Sequence, residues 1–178
     1  RRPPRSTLFP YTTLFRSALT DLVQQVSYEA APFLIERNEE NDQQLVLSMP
    51  FPAGSFNDQD LINLRSLYQE LVKVSLISSE ISDDALYHVG QMNQLRELSL
   101  QKTKIKGTGL VYLTELPALE ILDLSHTEVT DAYLLHITKM PTLKEVYLYE
   151  TPVSPQLVET LRQHLPSVNI YLTRSPGY

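Results

Sequence analysis

"LRELSLQKTKI", residues Leu95–Ile105, reads Leu-x-x-Leu-x-Leu-x-x-Thr-x-Ile, and the same pattern occurs four times in the chain. "LVKVSLISSEI" begins at Leu71, "LEILDLSHTEV" at Leu119 and "LKEVYLYETPV" at Leu143, so the starts fall 24 residues apart without a gap. Self-similarity at a fixed period outranks local propensity because it decides the architecture. Within the pattern, Leu98 and Leu100 alternate with Glu97, Ser99 and Gln101, the period of a strand with one buried face. The intervening halves align too. Leu86, Leu110, Leu134 and Val158 share one register, and Val89, Leu113, Ile137 and Leu161 another. The spacing Leu134, Ile137, Met140 predicts one face of a helix. A single strand and helix cannot bury their apolar faces alone, but stacked neighbours can. The expected fold class is therefore α/β: a solenoid with a curved parallel sheet inside and short helices outside.

Punctuation agrees with this reading. Ser154 before Pro155 predicts an N-cap followed by proline at the first helical position. Thr130 with Asp131, and Ser82 with Asp83 and Asp84, predict caps in two other units. Pro117, Pro141 and Pro166 each follow an expected helix and stop it. The second unit departs, since "KGTGL" places Gly107 and Gly109 at the helix start and predicts a shorter or frayed helix. Ser79, Thr103, Thr127 and Thr151 share one position, where their hydroxyls are expected to satisfy backbone groups in the turn after each strand.

On these residues the chain resembles the leucine-rich repeat family, over about Phe56 to Leu172. Many repeats of that family carry Asn or Cys where this chain has Ser79, Thr103, Thr127 and Thr151. The elements "TEVTD" and "LPAL", with the entry segment "SFNDQDL", are similar to a bacterial group of such repeats found in planctomycetes and Bacteroidetes. In that group the repeats often form the C-terminal part of membrane proteins with a cytochrome-c-like domain. The likeness implies membrane helices and a haem-binding CxxCH upstream, with this part facing the periplasm.

The array has edges. "FNDQDLINL" from Phe56 aligns with "ISDDALYHV" from Ile81 at an offset of 25, a degenerate first unit. Before it, residues 18–55 are expected to form a capping element: a short helix at "LTDLVQQV", then strands at "APFLIER" and "QLVLSM". The polar turn Asn38–Asp42 joins them, and its Glu39, Glu40 and Asp42 suit a solvated hairpin better than a cation site. "VNIYL", Val168–Leu172, supplies a last strand, and the tail 173–178 is expected to be disordered.

The opening "RRPPRSTLFPYTTLFRS" has four arginines, three prolines and no carboxylate. Such a stretch could be a transit peptide or a basic, polyproline-type arm. Back-translation offers a third reading, because one gapless codon string for Arg1 to Ser17 resembles the standard oligonucleotide adapter of short-read DNA sequencing. On that reading residues 1–17 are an artefact and pack against nothing. The remainder is then a C-terminal fragment of a larger bacterial protein. Of 15 basic residues, removing Arg1, Arg2, Arg5 and Arg16 leaves 11 against 21 acidic, a balance of −10. That argues against nucleic acid as a partner, which requires a basic stripe. The absence of Cys excludes disulfides, thiolate metal sites and a Cys nucleophile within these residues. No apolar run approaches the ~20 residues of a membrane span, so no membrane contact is expected here and any anchor lies upstream.

No catalytic, cofactor or metal site is expected. His88 and His136 occupy one repeat position in units too far apart to share a zinc ion. Asp123, Ser125 and His126 tempt a triad reading, but one extended stretch cannot fold a base back onto its nucleophile. The concave sheet face is the better candidate, with Ile77, Gln101, Ile121, Asp123, His126, Tyr147 and Tyr149 as partner-binding residues. Covering the end of the sheet is an alternative role for the tyrosines. The expected function is a non-catalytic protein-interaction or scaffold module on the periplasmic side of a bacterial membrane. The alternative is a freestanding cytosolic recognition protein of the ribonuclease-inhibitor or substrate-receptor type. Neither needs a cofactor in these residues, although haem is implied for the upstream part.

Overall fold

The computed structural model describes residues 33–49 and 56–172. The adapter-like opening, the helix expected from Leu19 and the tail 173–178 lie outside the described residues. Among the described residues, seven strands form one sheet in sequence order. β1 (Leu34–Asn38) pairs antiparallel with β2 (Asn41–Ser48). The connection is tighter than the expected five-residue turn, because Asn41 and Asp42 already belong to β2. β3 (Leu71–Ser75), β4 (Glu97–Ser99), β5 (Ile121–Asp123), β6 (Glu145–Tyr147) and β7 (Asn169–Tyr171) then add in parallel.

The chain folds as a leucine-rich-repeat solenoid. Consecutive parallel strands pair in the register of the 24-residue period, Val74 beside Leu98, Leu122 and Val146. These side chains, with Leu76, Leu100, Leu124 and Leu148 just after each strand, are buried in a single core. Each fully buried leucine contributes about 2 kcal/mol by leaving water. The opposite layer is built from short helical pieces. α1 spans Asp58–Asn63, α2 Ala85–Val89, α3 Asp131–Leu134 and α4 Pro155–His164. In the second unit a 3₁₀ helix, Thr108–Leu113, takes that place, and a further 3₁₀ segment, Leu135–Lys139, extends α3. The second unit is therefore rewound rather than shortened. Gly107 sits at φ 105°, a region open to glycine, and a Cβ there would lie 2.7 Å from that of Tyr133.

Capping follows the prediction at two of three places. Ser154 Oγ accepts the Leu157 N–H at 3.2 Å and Pro155 opens α4. Ser82 Oγ accepts the Asp84 N–H at 3.2 Å in the turn that leads into α2, whereas Thr130 makes no side-chain cap. The acids reach across units instead. Asp58 accepts the Ser82 N–H at 2.8 Å, and Asp131 accepts the Ser154 N–H at 2.7 Å. Asp83 accepts from the backbone N–H groups of Lys106, Gly107 and Gly109 at 2.8, 2.8 and 3.0 Å. One repeat position thus carries a ladder of carboxylate staples between neighbours, and Gly107 is the missing rung.

Candidate functional site

The turn after each strand is the same device repeated. Ser78, Lys102, His126 and Glu150, spaced by the repeat, all adopt left-handed backbone with φ between 53° and 58°. Next to them Ser79, Thr103, Thr127 and Thr151 donate their hydroxyls to the carbonyls of Leu76, Leu100, Leu124 and Leu148 at 2.6–2.8 Å. The hydroxyls close each turn without the side-chain amide common in such repeats. Backbone bonds continue the ladder beyond the strands, from Ser78 to Gln101, Lys102 to Ser125 and His126 to Tyr149. A hydrogen-bonded frame therefore presents the outward side chains of the sheet.

That face is a lattice of outward residues in register. One row runs Lys73, Glu97, Ile121, Glu145, Asn169, and the next runs Ser75, Ser99, Asp123, Tyr147, Tyr171. A cleft of about 480 Å³ opens over the β3–β5 members of these rows and Tyr147, lined also by Val46, Leu47 and Tyr149. Of the residues singled out in the sequence, Ile121, Asp123, Tyr147 and Tyr149 line this cleft. Ile77, Gln101 and His126 lie in the turns after the strands and outside its lining. The strands stop at Ser75, Ser99 and Asp123, and Tyr149, at the same repeat position as Ile77 and Gln101 and also in a turn, reaches the cleft where they do not.

The two ends of the cleft differ in charge. Lys73 Nζ lies 2.9 Å from Glu97 Oε1, and this ion pair, with its direct hydrogen bond, raises the Lys73 pKa above the usual lysine value. At the other end Asp123 Oδ1 accepts the Ser125 N–H at 2.8 Å, while Glu145 Oε2 accepts the Tyr147 hydroxyl. Among the described residues neither carboxylate has a cationic partner. The hydrogen bond to Glu145, with burial and the nearby negative charge adding to it, pushes the Tyr147 phenol well above its ordinary pKa. The ring therefore stays neutral. Tyr147 stacks on Tyr171 with centroids 4.8 Å apart and planes 13° from parallel, and Tyr149 tilts against it at 5.9 Å.

The triad-like residues serve the turn. Ser125 is fully buried, and its Oγ accepts the Tyr149 N–H at 3.3 Å, while His126 is exposed. Sequence reasoning missed Tyr171 as part of the aromatic group, although its place in the last repeat register was available. It also missed an outer ridge of Tyr87, Val111 and Leu135, one per unit and each about half exposed, where Tyr87 meets Tyr112 edge-to-face at 5.4 Å. Among the described residues no group of three or more His, Asp or Glu is placed to hold a metal ion. No described helix is long and apolar enough to cross a membrane.

No family model matches the chain. No curated protein matches it either. Among solved structures it is similar to the leucine-rich-repeat ectodomain of the receptor kinase SOBIR1 from Arabidopsis thaliana. The identity is 15%, over 88% of this chain and 90% of that one, with a TM-score of 0.47. The class, a leucine-rich-repeat solenoid, stands on the register and core described above.

Proposed function

We propose that the chain is a non-catalytic protein-interaction module whose concave sheet face takes up the partner. One observation carries the reading: a rigid sheet presents an open cleft in which Ile121, Asp123, Tyr147 and Tyr149 converge. Tyrosines on a rigid support lose little conformational entropy when covered, which is why they anchor interfaces. The test is selection of a displayed random-peptide library on the chain, followed by affinity measurement on the Tyr147→Ala/Tyr149→Ala variant. Selected peptides should bind the variant at least about tenfold more weakly. Unchanged affinity, or no enrichment at all, would sink the concave-face reading.

The finer reading concerns the parent protein. We propose a bacterial, membrane-anchored, cytochrome-c-like protein whose C-terminal repeats face the periplasm, on the support of the "TEVTD", "LPAL" and "SFNDQDL" elements. Haem would belong to the upstream part. Adapter-trimmed assembly of the gene upstream of Ala18 tests it. A CxxCH and apolar spans support this parent, whereas an early Met followed by further repeats supports the freestanding cytosolic receptor.

A further inference from the structure

The acidic, tyrosine-walled end of the cleft defines the chemistry of its occupant. Tyr147 stacks on Tyr171 across β6 and β7, so its second ring face is directed towards β5. There Asp123 is its direct register neighbour, about 4.8 Å away by strand spacing. Glu145, two residues before Tyr147 on the same strand, places a second carboxylate at the Tyr147 hydroxyl, just outside the cleft lining. The cation that could neutralise them is elsewhere, because Lys73 is committed to Glu97 at the far end. Asp123 Oδ1 is used by the Ser125 N–H, which leaves Oδ2 for a donor from outside. An electron-rich ring face beside an unpaired carboxylate binds a cation by two mechanisms at once: cation–π attraction and a charge-assisted hydrogen bond.

Resting on the interaction-module reading, we propose that the partner is a basic segment of a protein that lays an arginine or lysine side chain between Asp123 and the Tyr147–Tyr149 wall. A guanidinium fits better than an ammonium, since its plane stacks on the ring while its edge donates to the carboxylate. The opposite end of the cleft, neutralised by the Lys73–Glu97 pair, accepts a neutral continuation of the segment.

The experiment uses short synthetic peptides alternating Ser with Arg, Lys, Gln or Glu, titrated into the chain while the tyrosine ring resonances are followed. The Arg peptide should bind best and the Lys peptide next, shifting the Tyr147 and Tyr149 rings. The Gln and Glu peptides should leave them in place. Asp123→Asn keeps an oxygen for the Ser125 N–H and loses only the charge, so it should weaken the Arg peptide about tenfold with the melting temperature unchanged. Glu145→Gln, which still accepts from Tyr147, supplies a second variant should the first unfold. Glu128→Gln makes the same change of net charge on an exposed residue that lines a different depression, beside Asp83 and Lys104, and should leave binding intact. Equal losses in Asp123→Asn and Glu128→Gln would reduce the effect to general attraction and overturn the proposal, as would equal binding of the Gln peptide. Library-selected peptides that need Tyr147 and Tyr149 but carry no basic residue would overturn it and leave the interaction module standing. Failure of the library selection itself overturns both.

Discussion

Two faces of the same strands follow opposite rules. Inward, Val74, Leu98, Leu122 and Val146 are all aliphatic and all buried. Outward, the residues immediately before them are Lys73, Glu97, Ile121 and Glu145, and no two neighbours are alike. The inner face must repeat, because each unit closes the core of the next and a change of volume in one is felt in both. The outer face carries no such constraint, so its departures from repetition show where units have become different from one another. In the second outward row the break falls at Asp123, between the serines of β3 and β4 and the stacked tyrosines of β6 and β7.

The sharpest way to break this comparison is to exchange the treatment of the two faces. Leu122→Ala should cost about 3 kcal/mol in denaturant unfolding, because a fully buried side chain leaves a cavity between two units. Ile121→Ala, one residue away on the cleft side, should cost well under half of that. Equal losses would mean that the cleft face is as structural as the core.

The fold was legible because the inner rule is periodic. Leu86, Leu110, Leu134 and Val158 could be aligned by eye, and all four are buried. The candidate site was legible only in part. Alternation placed Ile121, Asp123 and Tyr147 on the outer face, but it could not show that the strands end at Ser75, Ser99 and Asp123 and leave Ile77, Gln101 and His126 in turns. Nor could one-dimensional pattern reveal a partner a whole unit away. Asp83 and Asp131 read as first-turn acids of their own helices, because an acid after a Ser or Thr cap is a local signal. The bonds they make reach Gly107 and Ser154, 24 and 23 residues on.

That ladder supplies the next test, since it repeats as the core does but on polar chemistry. Asp83→Ala removes the acceptor of three backbone N–H groups and should cost about 2 kcal/mol. Asp131→Ala removes the acceptor of the Ser154 N–H and hydroxyl, and should cost less. Hydrogen exchange should localise the first loss to Lys106–Gly109. A uniform loss over the solenoid would show that the staples add only to global stability and do not hold particular neighbours.

The smallest expected effect comes from Glu70, which sits just before β3 at a half-buried repeat position. The equivalent positions one, two and three repeats on hold Gln94, Ala118 and Thr142, and of these Thr142 bonds the Leu119 carbonyl. Glu70 Oε2 is buried without a partner, and burial raises the carboxyl pKa above its usual value, against a weaker opposing pull from its own backbone N–H. Folding therefore favours the protonated acid. The contribution of Glu70 to stability is fully present below the unfolded-state pKa and is lost as pH rises through the higher folded-state pKa. Glu70→Gln removes the charge at every pH, so the variant should melt about 2 °C above the parent chain at neutral pH. The two curves should meet near about pH 3, where the parent carboxyl is protonated in both states. A constant difference across that range would assign the effect to packing around residue 70 and not to its charge.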